Sequence, residues 1–375
     1  MGLNAPTKAV HLPGLNGIRA IAAIAVILAH TTISMAEFGL DPFLFGRNPD
    51  GSPGGTDLAG FGVSMFFALS GFLITYLLLL EKEKQPIDVK NFYIRRVLRI
   101  HPLYYTYLIV ALVLIFAFQL EFSSSSLLFY IFLAANIPFI LNTPLPLLGH
   151  YWSLGVEEQF YLFYPWIVKK IRNLPVFLVL SIVALIAVKL ALRYSISSYG
   201  LIPYYFIHVT RFQCMLLGAV GAWFFYRGDQ WYIRLLTHWI VQLGAWLAIV
   251  LVALDRFHIA SVLDQEFISG ITVVIIVGQA TRINRLVNLD LRVFDFLGKI
   301  SYGLYVIHPL MIFFWSKIFI VELPSTFKYI AIYSLVLGST IVVAYLSYEH
   351  FEKYFLRLKA RFSAILSSST GQAPV

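Results

Sequence analysis

Arg19 and His30 stand eleven residues apart in one apolar stretch, LNGIRAIAAIAVILAHTTIS, from Leu15 to Ser34. At about 100° per residue that offset is about 20° past three full turns, so a helix here shows both on one face, roughly 16 Å apart along its axis. An ionisable side chain inside hydrocarbon costs about 2.5 to 3.5 kcal/mol on insertion scales, so such residues turn to a polar interior and mark a pathway or a site. An imidazole that titrates near neutrality suits general-base work. The alternative for His30 is a plain hydrogen bond to a neighbouring helix.

A second set lies in FYIRRVLRIHPLYY, where Arg96 and Arg99 are three apart and share a helix face. With Lys82, Lys84, Lys90 and Arg95 just before them they form a candidate phosphate-binding patch, or simply the basic flank that inner helix ends carry. Glu157 and Glu158, in WSLGVEEQFYLFYP, are the acidic residues well inside an apolar span, and adjacent carboxylates on a helix point about 100° apart. Counted from the helix ends, His30, Glu157 and Arg211 reach a common depth, roughly 5 to 10 Å from the outer surface, and can meet there. The other reading of Glu157 and Arg211 is an ion pair that locks two helices. His308, in SYGLYVIHPL, is the remaining intramembrane polar candidate, for helix packing or for function. Cys214 sits alone in an apolar run, which excludes an internal disulfide, and no metal site is expected from the scattered histidines. The sequence lacks G-x-S-x-G, C-x-x-C, H-E-x-x-H and a complete G-x-G-x-x-G.

The elements that must hold these groups are membrane helices. Of 375 residues, 59% are hydrophobic and 13% charged, which describes a polytopic membrane protein rather than a soluble one. The net charge of +9 is then explained by basic cytoplasmic loops rather than by nucleic acid. Apolar stretches at Leu15–Ser34, Leu58–Leu80, His101–Gln119, Tyr151–Val168, Leu174–Leu192, Tyr204–Tyr226, His238–Leu254, Phe267–Ala280, Ile300–Ile320 and Lys328–Ser347 predict an all-α bundle of about ten transmembrane helices. Leu127–Leu141 holds Asn136 and Pro138 and is short, so it is expected to be re-entrant or interfacial. With both termini cytoplasmic, basic residues favour the inner side by roughly three to one. The expected organisation is an integral-membrane domain over 1–350 and a basic cytoplasmic tail over 351–375, partly disordered. No removable signal peptide is expected.

Five motifs in order, LNGIRAIAAIAVILAH, FFALSGFLITYLL, FYIRRVLRIHPLYY, WSLGVEEQFYLFYP and ISYGLYVIHPL, make the chain resemble the membrane acyltransferase-3 family across residues 15 to 310 at least. The resemblance implies a multi-pass protein of the cytoplasmic (inner) membrane. Such a protein moves an acyl group, usually acetyl, from cytoplasmic acyl-CoA to a hydroxyl of a saccharide or lipid-linked glycan at the outer side. It carries the family's arginine-to-histidine pair onto Arg19 and His30, its R-x-x-R onto Arg96 and Arg99, and its W-S-L-x-V-E onto Trp152 to Glu157. A fused extracytoplasmic domain like that of some members is not expected after the last span, which fits direct delivery to the acceptor.

The expectation that follows has Arg96, Arg99 and Arg19 holding the phosphates of acyl-CoA and His30 as general base on the acceptor hydroxyl. Glu157 is its orienting partner, and Glu158, Arg211, His308 and Trp152 form a surrounding polar cluster. An acyl-histidine route is open beside direct transfer. The competing class is a transporter or flippase that uses the same His, Glu and Arg groups, although no internal repeat is visible. Partners are membrane lipid, acyl-CoA and a glycan acceptor; acceptor identity, acyl length and oligomeric state are not written in the residues.

Overall fold

The computed structural model describes residues 11–48, 51–195, 202–319, 324–363 and 365. They form α1 Leu15–Ile33, α2 Asp57–Lys84, α3 Val89–Ala117, α4 Ser124–Ile131, α5 Asn136–Ile140, α6 Trp152–Lys170, α7 Leu174–Tyr194 and α8 Ile202–Thr210. The second half holds α9 Phe212–Arg227, α10 Gln230–Leu236, α11 Trp239–Ala253, α12 Asp264–Thr281, α13 Arg292–Lys299, α14 Ser301–Ile318, α15 Ser325–Ser347 and α16 Lys353–Ala360. Among the described residues extended pairing is confined to one bridge, Arg47 with Pro53.

Five helical segments, built on α1, α2, α3, α7 and α15, are long and apolar enough to cross a membrane; counting the bent pairs α10–α11 and α13–α14 as single crossings makes seven. Other stretches expected to span fall on helices that are charged or broken. α6 carries Glu157, Glu158, Lys169 and Lys170. The predicted Tyr204–Tyr226 span is two helices, because Arg211 between them takes a left-handed backbone at φ 44°. The 127–141 piece becomes α4 and α5, of 8 and 5 residues. At about 1.5 Å per residue neither approaches the roughly 30 Å of a hydrocarbon core.

α2 is the central post, packed against α1, α6, α9 and α12. Its crossing with α9 is close because both surfaces lack a side chain: a Cβ on Gly71 would strike the Met215 carbonyl, and one on Gly218 would strike that of Ala68. α1 thereby lies fixed between α2 on one side and α13 and α14 on the other. After α15 the chain makes a π-helical turn at Tyr348–Glu352, and α16 then folds back on α3, so residues 351–363 are ordered; 364 and 366–375 lie outside the described residues.

One buried ion pair escaped the sequence reading. Lys189 of α7, with no exposed surface, donates to Glu266 of α12 at 2.7 Å, and Gln213 of α9 donates to the same carboxylate oxygen at 2.7 Å. Charge in the apolar spans is therefore not confined to Glu157 and Glu158.

Candidate active site

Asp88 caps α3 by accepting from the Asn91 amide, and its own amide donates to Glu81 at the end of α2. Glu81 also accepts from Arg95 at 2.9 Å in a buried pair, and Arg95 donates onward to the Phe362 carbonyl at 2.9 Å. Arg95, which the sequence presents as one more basic residue, is thus a clasp joining α2, α3 and the segment after α16. With that turn of α3 locked, Arg96 and Arg99 face a cavity of about 190 Å³.

Into the same cavity come Arg19 from α1, Ser70 from α2, Glu157 and Tyr161 from α6, and Lys359 from α16. Arg19 donates to Asn16 Oδ1 at 2.9 Å, and Asn16 donates to Asp295 at 2.7 Å, which orients the guanidinium from α13. Arg96 lies over the rings of Phe92 and Tyr161, each 5.5 Å away, and its buried Nε has no partner. Ser70 and Tyr161 are bonded to one another, and both bond to Glu157, whose charge is felt by Arg19 and Arg96. Cations therefore outnumber carboxylates at the heart of the cavity. The sequence grouping of Arg19, Arg96 and Arg99 is reproduced in space.

His30 is placed differently from the expectation. It is partly buried, does not line the cavity, and its Nδ1 lies 2.7 Å from His308 Nε2. His150 joins them, its ring centroid 5.2 Å from that of His308. Bond directions settle the tautomers. His308 Nδ1 lies 2.8 Å from the Tyr305 carbonyl, which only accepts, so that nitrogen carries the hydrogen. In the neutral ring His308 Nε2 is then an acceptor, His30 Nδ1–H is its donor, and His30 Nε2 holds a free lone pair. The orienting partner of His30 is thus His308, not Glu157. The layer between cavity and histidines is one side chain thick: Tyr305 Oη donates to the His150 carbonyl at 2.8 Å and lies 2.6 Å from Ser153 Oγ, both residues lining the cavity.

The expected meeting of Glu157 with Arg211 does not occur either. Arg211 donates to the Gly60 carbonyl and to Gln265 Oε1, both at 3.0 Å, and its guanidinium stands 5.2 Å from the Trp152 ring. Trp152 stacks on Phe139, which fixes the start of α6. Glu158 points away from the cavity that Glu157 lines and lies 3.3 Å from His101 Nε2. His150, Ser70, Tyr161 and Lys359 were missed; His150 alone left a trace, as the histidine two residues before the W-S-L motif.

Comparison with known proteins bears on the family. The family model described as an acyltransferase domain matches residues 12–349. The O-acetyltransferase OatA of Staphylococcus aureus (strain NCTC 8325 / PS 47) is 27% identical over 392 aligned residues, covering 96% of this chain and 60% of that protein. OatA of strain MRSA252 is 31% identical over a shorter 229 residues, 56% of this chain and 34% of that protein. A putative O-acetyltransferase, SACOL0978 of strain COL, is 29% identical over 93% of this chain and 58% of its own length. The chain thus spans about 60% of the length of the first of these relatives. No solved structure matches it. With a family match reaching from before α1 to the end of α15, the chain belongs to the acyltransferase-3 family.

Proposed function

We propose that the protein is a multi-pass O-acyltransferase of the cytoplasmic membrane, with ten crossings and both termini inside. It passes an acetyl group from acyl-CoA to a hydroxyl of a surface or lipid-linked saccharide. One observation carries the proposal: a cavity lined by Arg19, Arg96 and Arg99 lies one side-chain layer below an imidazole whose Nε2 is free. Guanidinium groups match phosphate oxygens in charge and fork geometry, so the cavity suits the phosphates of the donor, and the pantetheine arm leads the thioester up toward His30.

In the transfer, His30 Nε2 takes the acceptor hydroxyl proton as its oxygen attacks the thioester carbonyl. The C–O bond forms, the C–S bond breaks, and the departing sulfur receives the proton from the imidazolium, which leaves free CoA and the acetyl ester. His308 Nε2 holds the imidazolium through the Nδ1–H bond. A base of this kind contributes about 10² to 10⁴-fold. Glu157, among Arg19 and Arg96, aligns the guanidinium groups rather than His30.

The test compares cells with the native protein against His30→Ala, reading O-acetyl content of surface glycans by mass spectrometry with membrane insertion checked by immunoblot. Loss of acetylation from an inserted variant is expected; full acetylation removes the base role. The names of the O-acetyltransferase relatives support acetyl as the group transferred.

A further inference from the structure

Beside its arginines the cavity has one lysine, which belongs to no matched motif. Lys359 lies in α16, beyond residue 349 where the family match ends, yet it is only 6% exposed and lines the cavity with Arg19, Arg96 and Arg99. The charges that act on it most are those of Arg99, Arg96, Arg19 and Arg95, all of one sign. The carboxylates nearby are engaged elsewhere. Glu81 is paired with Arg95, Asp295 with Lys299 at 2.7 Å, Asp290 with Arg282 at 3.0 Å, and Glu157 with Ser70 and Tyr161. Glu352 accepts from Ser347 and its charge is felt by Arg99. An ammonium group withdrawn from water among like charges is costly unless an anion joins it.

The position of Lys359 says which part of an anion it meets. Ala360, Ser363 and Ile365 line the cavity beside it, so the segment after α15 forms the rim at the α16 end, while Ser153 and Tyr305 close the end toward His30. A donor whose thioester points to His30 leaves its far terminus at that rim. In acyl-CoA that terminus is the adenosine, which carries a phosphate on its 3′ oxygen as well as the internal diphosphate. We propose that Lys359 is a donor-specificity residue that pairs with the ribose 3′-phosphate, while Arg96 and Arg99 hold the diphosphate. This rests on the acyl-CoA reading above.

The experiment measures binding of CoA and of dephospho-CoA, which lacks only the 3′-phosphate, to purified full-length protein in detergent by isothermal titration. The native protein is expected to prefer CoA by about tenfold or more, a step worth about 1.4 kcal/mol. Lys359→Met should bring CoA affinity down to that of dephospho-CoA and leave the latter unchanged; Lys359→Arg should keep the preference. Arg357→Met, on the exposed side of the same helix, should not alter the ratio. A native protein that binds both nucleotides equally, or a Lys359→Met variant that keeps the full preference, overturns the assignment while the acyl-CoA reading stands. A native protein that binds neither overturns both.

Discussion

Replacing His308 by Phe keeps a ring in the buried space and removes the acceptor for the His30 Nδ1–H bond, which spans 2.7 Å. A neutral hydrogen bond contributes about 0.5 to 1.5 kcal/mol and one to a charged group about 1.5 to 3, so the bond strengthens by about 1 to 2 kcal/mol as His30 takes the proton. That difference exists only in the transition state and lowers kcat by about 5- to 30-fold, since each 1.36 kcal/mol is tenfold. A freed His30 also samples the form with hydrogen on Nε2, which has no lone pair for the acceptor and lowers kcat further. Donor binding is untouched, because His308 does not line the arginine cavity. The assay uses membranes of expressing cells, which carry their own acceptor, and follows incorporation of labelled acetyl from acetyl-CoA across donor concentrations. The expected result is a fall in kcat with donor KM unchanged, and partial recovery in His308→Gln, whose amide oxygen can accept. A His308→Phe protein with native kcat refutes the tautomer argument, and a change confined to KM refutes the assignment of His308 to the base.

Arg96→Gln and Arg99→Gln together should raise donor KM by about tenfold or more while kcat at saturation changes little, as loss of charge-assisted bonds to phosphate requires; the same labelled-acetyl assay reads it. For the buried pair, Lys189→Met alone or Glu266→Gln alone should destabilise the protein by about 3 to 5 kcal/mol, because each leaves an uncompensated buried partner. The double variant Lys189→Met, Glu266→Met should recover much of that loss, and thermal unfolding in detergent measures both.

Local pattern carried a good deal of this molecule. The shared face of Arg96 and Arg99 depends only on helical period, and both reach one cavity; the same period sets Arg19 and His30 eleven residues apart on α1, but only Arg19 lines that cavity. The divergent directions of Glu157 and Glu158, about 100° apart, are the same arithmetic. What escaped was everything decided by distant chain. The bond between His30 and His308 joins residues separated by 278 positions, and nothing near either one announces the other. Matching depth put His30, Glu157 and Arg211 on one level, yet depth leaves the direction around each helix axis open, and the three find different neighbours. The interruption at Arg211 does not show in hydropathy because the apolar residues on both sides outweigh the few polar ones beside it. Lys359 falls within the basic tail expected from residue 351 onward, and its packing stays hidden there because a short basic segment after the last span offers no periodic stripe long enough to reveal it.

The hydroxyl bridge between Ser153 and Tyr305 has a bearing on bioenergetics. A protein that admits a water-borne nucleotide from one compartment and a sugar from the other runs the danger of becoming a leak for protons and metal ions. The contact of Ser153 with Tyr305 puts two joined hydroxyls between the arginine chamber and the histidines, where such a partition would have to stand. On the acyl-CoA reading proposed above, the donor's thioester arm would have to part this one contact, so transfer and tightness to ions would depend on the same two hydroxyls.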